Sequence, residues 1–321
     1  MLTVLLATRN RARILRDVLG AFCQLESPPS GWKLVVVDNG STDQTTQVIA
    51  SFANRLPLCS VFESKIGKNF ALNTGLELVE GDLAVFTDDD VFPRANWLTE
   101  MRKAVDAQLA YSMFGGAILP RWEVPPPPWI RWLDLGPIFT LTDLSLKEGP
   151  LAPNLIPIVQ GPNMAIRTNI FQSGTRFDPS IGPSGSSYPM GSETELLMRL
   201  GRQGHKAWHV QNAVVEHLVR KEQLDKTWVM RRAVRWGRGR LRMSQNVKFW
   251  LGFPRHLFRD IPKEILLMTA ARVSFRQEAH LRSRWRLNIL RGIASEARVM
   301  ARERRSQGRS GSSISRLKCD S

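Results

Sequence analysis

Cysteine is scarce in this 321-residue chain: Cys23, Cys59 and Cys319 are the only three, and no CxxC pair occurs. That excludes a zinc ribbon and a thioredoxin-type site and argues against a disulfide framework, so a reducing cytoplasm is the expected compartment. Long apolar runs are missing too. No window approaches the roughly 18 uninterrupted apolar residues of a membrane span; the best late candidate, Ile265 to Phe275, is short and holds Arg272. The opening MLTVLLATRNR has no basic stretch ahead of its apolar run and is not read as a signal peptide. No GxGxxG follows the first apolar run and no GxxxxGK[ST] occurs anywhere. A Rossmann dinucleotide site is thereby disfavoured and a P-loop excluded. There is no internal repeat.

What is present is an apolar fraction of 43%, enough for a packed core without metal or disulfide staples. The net charge is +16 and it is unevenly spread. From Leu218 to Ser321 there are 26 Lys/Arg against 8 Asp/Glu; from Met1 to His217 there are 19 against 21. A near-neutral body thus carries a basic C-terminal third, which reads as a contact for something anionic.

The first ninety residues alternate strand and helix. LTVLLA and KLVVVD are continuous apolar runs of the kind that fills a parallel sheet. Helical spacing covers Asn10 to Gln24, with Ile14, Val18 and Phe22 on one stripe. Ser41 or Thr42 can cap a second helix that buries Ile49 and Phe52. Leu58 to Phe62 predicts a third strand, Gly67 to Val79 a helix and DLAVFTD a fourth strand. Such repeats imply a parallel sheet with right-handed crossovers. Further on, the sequence predicts a helix over Ala95 to Ala107 and a strand over Tyr111 to Leu119. Residues 120–157 predict a long ordered loop carrying Trp122, Trp129 and Trp132, and Ile158 to Arg167 resumes sheet character. Arg176 to Met190 is expected to be mobile, Ser192 to Gln203 helical, and Lys206 to His217 to form two short strands. Basic helices follow, then an unstructured tail over residues 306–321.

In an open parallel sheet, ligands bind outside the carboxyl ends of the strands. Thr8 and Asn10, Asp38, the Ser64 to Asn69 segment and Asp88-Asp89-Asp90 all fall there. Three adjacent carboxylates repel one another unless a cation is present, and hard ions such as Mg2+ or Mn2+ suit them. An acidic turn before Pro93 is the plainer alternative, as Asp-Asn-Gly-Ser at Asp38 is good turn chemistry in any protein.

These residues carry a resemblance. VLLATRNR, VVVDNGSTD, GKNFALNTGL and FTDDDVFP, followed by Gly115-Gly116, QGPNMAIR, GSETELLMRL and VEHLV, together resemble the family 2 glycosyltransferases over residues 1–240. The resemblance implies an α/β GT-A fold, a mostly parallel central sheet in an α/β/α sandwich, and an inverting, metal-dependent transfer from a nucleotide diphosphate sugar, usually uridine-linked. It implies that Thr8 and Asp38 contact the base, with Asn10 beside them. Asp88 and Asp89 face ribose and diphosphate, and Asp90 binds the metal, Mn2+ or Mg2+. Many relatives carry Arg where this chain has Leu72, a donor contact that is either missing here or supplied by Lys68. His217 matches a position that helps bind metal or diphosphate in some relatives; the alternative is a buried, hydrogen-bonded histidine. The catalytic base falls on Glu193, where relatives commonly have aspartate. Glu195 has a structural task, through a Ser192–Glu195 capping box and an i,i+4 pair with Arg199.

Trp122, Trp129 and Asn163 are acceptor candidates, and the tryptophans either stack on sugar or pack their loop. The implied organisation is a GT-A domain over 1–240, with a donor half (1–93) and an acceptor and catalytic half (94–240). A basic helical extension follows over 241–305, then the tail. The extension interleaves apolar residues with arginine. It suits peripheral contact with an anionic membrane surface, or is a packed appendage with solvated arginines. The expected setting is the cytoplasmic face of a membrane, with a glycan or lipid-linked acceptor in surface polysaccharide assembly. Two competitors are a nucleic-acid binder using the basic third and a sugar nucleotidyltransferase. The first lacks ribonucleoprotein, zinc and heptad motifs, so no specific nucleic acid is expected; the second usually has a Gly-rich loop where this chain has ATRNR.

Overall fold

The computed structural model describes residues 1–143, 145–185 and 188–316, with side chains through residue 304. It divides into two compact units. One comprises Met1–Ser186 and Gly191–Leu224, the other Ser187–Met190 and Asp225–Ser321. The main division thus falls between Leu224 and Asp225, ahead of the expected residue 240.

The first unit opens with β1 (Leu2–Thr8), α1 (Ala12–Phe22), β2 (Trp32–Asp38), α2 (Thr45–Ser51), β3 (Leu58–Phe62), α3 (Lys68–Leu76) and β4 (Leu83–Asp88). These four strands pair in parallel in the order β3-β2-β1-β4. Leu2, Val4, Leu5 and Leu6 are fully buried, as are Leu34 to Val37, so the continuous apolar runs fill both faces of the sheet. α3 lies close over it because residue 75 is glycine: a Cβ there would sit 2.3 Å from a Leu5 methyl. On α1 the buried stripe is Leu15, Val18, Leu19 and Phe22 rather than one through Ile14. Neither Ser41 nor Thr42 caps α2. Asp43 stands nearer the helix start, and its carboxylate accepts the Thr45 N–H at 2.9 Å.

The rest of this unit is built differently. β5 (Val91–Pro93), α4 (Trp97–Ala107), β6 (Met113–Trp122), α5 (Leu135–Phe139), β7 (Gly149–Leu151), β8 (Met164–Arg167), α6 (Asn169–Gln172), α7 (Ser192–Arg202) and β9 (Ala207–Val219) follow in turn. β8 pairs antiparallel with β4 and β6, and β6 runs parallel to β9, completing a nine-stranded sheet in the order β3-β2-β1-β4-β8-β6-β9-β5. β7 and β5 pair with opposite ends of the outer edge of β9. The two short strands expected over Lys206 to His217 are this one long strand. The register with β6 jumps from Gly116↔Val210 to Ala117↔Val214, so Gln211 to Ala213 bulge out, and that polar interruption makes the strand look like two.

The expected long loop contains structure of its own: two 3-10 turns as well as α5 and β7. The 176–185 segment, expected to be mobile, is tied down. Asn69 donates to the carbonyls of Asp178 and Ile181, and Asn73 donates to that of Phe177.

The second unit holds α8 (Lys226–Met243), a hairpin of β10 (Phe249–Trp250) and β11 (Phe253–Pro254), α9 (Leu257–Val273) and α10 (Gln277–Arg316). Asp225 caps α8 by accepting from the N–H groups of Thr227 and Trp228. Glycines let α8 and α10 approach closely, since a Cβ on Gly237 would lie 2.0 Å from the Ile289 carbonyl oxygen. The tail expected from residue 306 is helical to Arg316, because extending an existing helix adds a hydrogen bond per residue without a new nucleus. Its last five residues, Cys319 included, lie outside the described residues. Among the described residues no helix is long and apolar enough to cross a membrane.

Candidate active site

The carboxyl ends of β1 and β4, the first residues of α3 and α7, and the far end of β9 meet in one place in the first unit. Four acids gather there. Asp88 ends β4, Asp89 and Asp90 form the turn into β5, and Glu193 comes from the first turn of α7. β5 pairs with β9 so that Val91 lies beside His217, and the Leu218 N–H donates to the Asp90 carbonyl at 2.9 Å. That pairing brings His217 and Arg220 to the acidic turn.

Each acid has a cationic or hydroxyl partner. Lys68, at the start of α3, reaches two of them: its ammonium donates to Asp88 and, at 2.7 Å, to Glu193. Burial opposes a charged lysine, but the two carboxylates outweigh it and raise the Lys68 pKa. Asp90 faces His217 Nε2 at 3.3 Å, Arg220 at 3.8 Å and Arg11 at 4.0 Å. Asp89 accepts from the Thr8 hydroxyl at 2.8 Å and lies 3.9 Å from Arg11.

The acids separate electrostatically. Burial, then the neighbouring Asp90, push the Asp89 carboxyl up to about 7, against Arg11 and Thr8. Burial raises Asp88 too, more than Lys68 lowers it. For Asp90, burial is overcome by His217, Arg11 and Lys68, and its pKa falls. For Glu193, burial is overcome by Lys68 and by the Ser192 hydroxyl, which donates at 2.7 Å, and its pKa falls as well. Glu193 is therefore held as a carboxylate.

Glu193 has room because residue 161 is glycine. A Cβ there would come within 2.6 Å of the Glu193 carboxyl group. The expected capping box does not form: Ser192 is already helical, Gly191 precedes it at φ 113°, and the Ser192 hydroxyl turns to Glu193 instead of a backbone N–H. The Glu195–Arg199 pair does form, at 2.9 Å and 3.0 Å, and takes both oxygens of Glu195 away from Glu193.

The residues matched to the nucleotide base behave unequally. Thr8 faces the acids. Asp38 accepts from the Ser41 N–H at 2.9 Å and the Thr46 hydroxyl at 2.6 Å, so its carboxylate organises the turn into α2. Asn10, at φ 52°, accepts from the Thr42 N–H at 2.7 Å and fastens the same turn to the end of β1. Leu72 is buried in the core.

One acceptor candidate is corrected. Asn163 is completely buried and its amide is spent: it donates to the carbonyls of Ala117 and Ala213 and accepts from Trp97 Nε1. It stitches the β9 bulge to β6 and cannot meet an acceptor. Trp122 and Trp129 remain half-buried, and Trp122 stands edge-on to Phe139 at 5.8 Å. The Phe139 carbonyl accepts from His217 Nδ1 at 2.6 Å.

That bond leaves His217 Nε2 as the ring atom turned to Asp90. Burial opposes charge on this ring, but Asp90 outweighs it and raises the pKa. A nitrogen and a carboxylate so juxtaposed suit a divalent ion such as Mn2+, with the outer ring nitrogen fixed by a carbonyl as metal-binding histidines require. Among the described residues no three histidine, cysteine or acidic side chains are arranged around one point. Asp90 and His217 are thus two side chains that could hold such an ion, whose other ligands would come from outside the protein.

A parallel first half, a mixed second half and an acidic turn flanked by lysine, arginine and a shielded carboxylate are the layout of the GT-A fold of glycosyltransferases. The sequence pattern of Glycosyl transferase family 2 matches residues 3–174, more than half of the chain, and the chain belongs to that family. Validoxylamine A glucosyltransferase of Streptomyces hygroscopicus subsp. limoneus is 34% identical over 93 residues, 28% of this chain and 20% of that protein. The match thus spans about a fifth of that curated relative's length. Among solved structures, a mannosyltransferase from Pyrobaculum calidifontis in complex with GDP-Man and Mn2+ has a TM-score of 0.63 at 19% identity, covering 92% of this chain and 86% of that one. TarS 1-349 of S. aureus, in complex with UDP-GlcNAc, has a TM-score of 0.53 at 17% identity, covering 73% and 65%. These two likenesses are of fold.

Sequence reasoning passed over Arg11, Arg220, Gly161 and the Phe139 carbonyl. Arg11 and Arg220 carried a weak signal, each lying within three residues of a singled-out position, Thr8 and His217.

Proposed function

We propose that the protein is an inverting glycosyltransferase that moves a sugar from a nucleoside diphosphate sugar, uridine-linked by family resemblance, to a hydroxyl of a glycan or lipid-linked acceptor. The setting we propose is surface polysaccharide assembly at the cytoplasmic face of a membrane. The carrying observation is the shared Lys68 ammonium, which joins the strand-end acid Asp88 to the carboxylate of Glu193.

Glu193 takes the proton of the acceptor hydroxyl as that oxygen attacks C1 of the donor sugar. The C1–oxygen bond to the diphosphate breaks on the opposite face, and the configuration inverts. Lys68 and Ser192 occupy two of the roughly four lone-pair sites of the Glu193 carboxylate, which leaves it able to accept. Lys68, Arg11 and Arg220 are fixed cations facing the charge that grows on the leaving diphosphate. Asp90 and His217 would hold a divalent ion, which when bound lends further electrophilic stabilisation to that group. Trp122 and Trp129 offer faces for an acceptor sugar ring.

The test is a panel of uridine- and guanosine-diphosphate sugars, with and without Mn2+, read by calorimetry and slow donor hydrolysis. At least one donor should bind in a Mn2+-dependent manner, and Asp90→Ala should abolish that dependence. Glu193→Gln should keep donor binding and lose at least about 10²-fold in turnover, the lower end for general-base catalysis. Salt-sensitive DNA binding without nucleotide-sugar binding would overturn the reading, as would pyrophosphate release from a nucleoside triphosphate.

A further inference from the structure

The second unit contains a helix built inside out. At about 100° per residue, Leu257, Glu264 and Ala271 of α9 share one face, and all three are buried. The opposite face carries Phe258, Pro262, Ile265, Leu266 and Val273, all exposed, Leu266 at 70% and Val273 at 74%. A carboxylate is turned inward and an apolar stripe about 25 Å long is turned to solvent. Globular helices do the reverse.

Both ends of the stripe are extended by strained turns. The β10–β11 hairpin closes through Leu251 at φ 47° and Gly252 at φ 80°. A two-residue turn with positive φ at both positions ordinarily takes Asn or Asp before the glycine. Here a leucine holds the first position, 72% exposed. Its neighbour Trp250 packs edge-on against Phe258 at 4.7 Å, which joins the hairpin tip to the stripe. After α9, Phe275 sits at φ 55° and is 90% exposed. Non-glycine residues held at positive φ with apolar side chains in water are a cost without a folding return.

Charge says what covers this surface. From Ser244 to Arg276 there are six Lys/Arg and two Asp/Glu. Of the two acids, Glu264 is buried and Asp260 is paired with Arg259 at 2.8 Å. By helical angle Lys263 flanks the stripe on one side and Arg272 on the other, both exposed. An apolar strip rimmed by cations, on a helix not apolar enough to cross a bilayer, matches an interfacial helix whose apolar side enters the headgroup region. A second copy of this chain is a poor occupant, because pairing the strips would bring like-charged rims together.

We propose that the exposed stripe of α9, with the Trp250–Leu251 hairpin tip, is a docking surface for an anionic lipid bilayer. It lies within the second unit and does not depend on the transfer reaction.

The full-length protein, without donor or metal, is sedimented with vesicles of phosphatidylcholine alone or mixed with phosphatidylglycerol. The wild type should bind the anionic vesicles, and less as salt rises. A Leu251→Glu, Leu266→Glu variant should bind at least about tenfold more weakly while melting at the wild-type temperature, since both side chains are already in water. A Lys248→Glu, Lys263→Glu variant should weaken binding as well. The proposal is overturned if the wild type binds neither vesicle, or if the leucine variant binds as tightly as the wild type. It is equally overturned if the leucine variant instead converts a dimer to a monomer in sedimentation velocity. Donor binding is measured separately on the same samples, so failure here and failure of the transferase reading are told apart.

Discussion

Both units set a glutamate among cations, and the two settings differ in what water can reach. In the first, Glu193 and Asp88 share Lys68 at the strand ends, and their side chains keep 17% and 23% exposure. In the second, Glu296 on α10 accepts from Arg238 and Arg242 of α8 and is completely buried. Both are shared carboxylate–cation contacts, one built on an ammonium and the other on two guanidiniums. A partly open pair can exchange its partners for a substrate, whereas a sealed one can only hold helices together, so accessibility divides a site from a staple.

Substitutions can break that contrast. The largest effect should come from Glu296→Ala, which removes the buried carboxylate shared by Arg238 and Arg242 and leaves Arg242 its more exposed partner Glu303. About 4 kcal/mol of stability should be lost, read from urea denaturation, while the folded fraction keeps its donor affinity. Lys68→Met should cost less stability, about 3 kcal/mol, because Asp88 and Glu193 remain partly hydrated once their cation is gone. Unlike the first change it should also abolish transfer. Equal catalytic damage from both would show that the contrast is false.

Gly237→Ala sharpens the comparison inside the staple. Its Cβ meets the Ile289 backbone, which cannot rotate away, so about 2 kcal/mol should be lost by thermal melting with activity kept in the folded protein. The smallest change is Glu195→Gln. Its partner Arg199 is 31% exposed, and the pair should be worth less than about 1 kcal/mol, with most turnover retained in a paired kinetic and melting comparison.

The first half was legible because a short continuous apolar run rich in Val and Leu, bounded by turn residues, suits a strand covered on both faces. KLVVVD and DLAVFTD therefore announce the strands and their acidic ends together. The second half was less so. Three-residue strands such as β5 and β7 exist through pairing with β9, more than fifty residues away, and carry no local pattern. Asn163 misled for a related reason: an asparagine in a resembling motif suggests a ligand, and only the β6–β9 register reveals the bulged carbonyl it satisfies. The acidic turn was read as needing an external cation. In the fold Lys68, Arg11 and Arg220 are brought there from α3, the end of β1 and the end of β9. Glu193 was singled out by the resemblance and Glu195 set apart by its spacing from Arg199, a pair that forms, although the capping box also invoked for Glu195 does not.

The bond from His217 to the Phe139 carbonyl is made to the main chain. Any amino acid at position 139 offers the same oxygen, so the imidazole senses the side chains of α5 only through the path they give the main chain. The less buried residues of this segment, Leu135 to Pro137, can therefore be exchanged while the orientation of the ring beside Asp90 is kept, provided that buried Ile138 and Phe139 still fix the path of α5. A one-residue insertion before Phe139 moves the carbonyl and loses that orientation. The segment is thus freer to vary at its half-buried positions than in length.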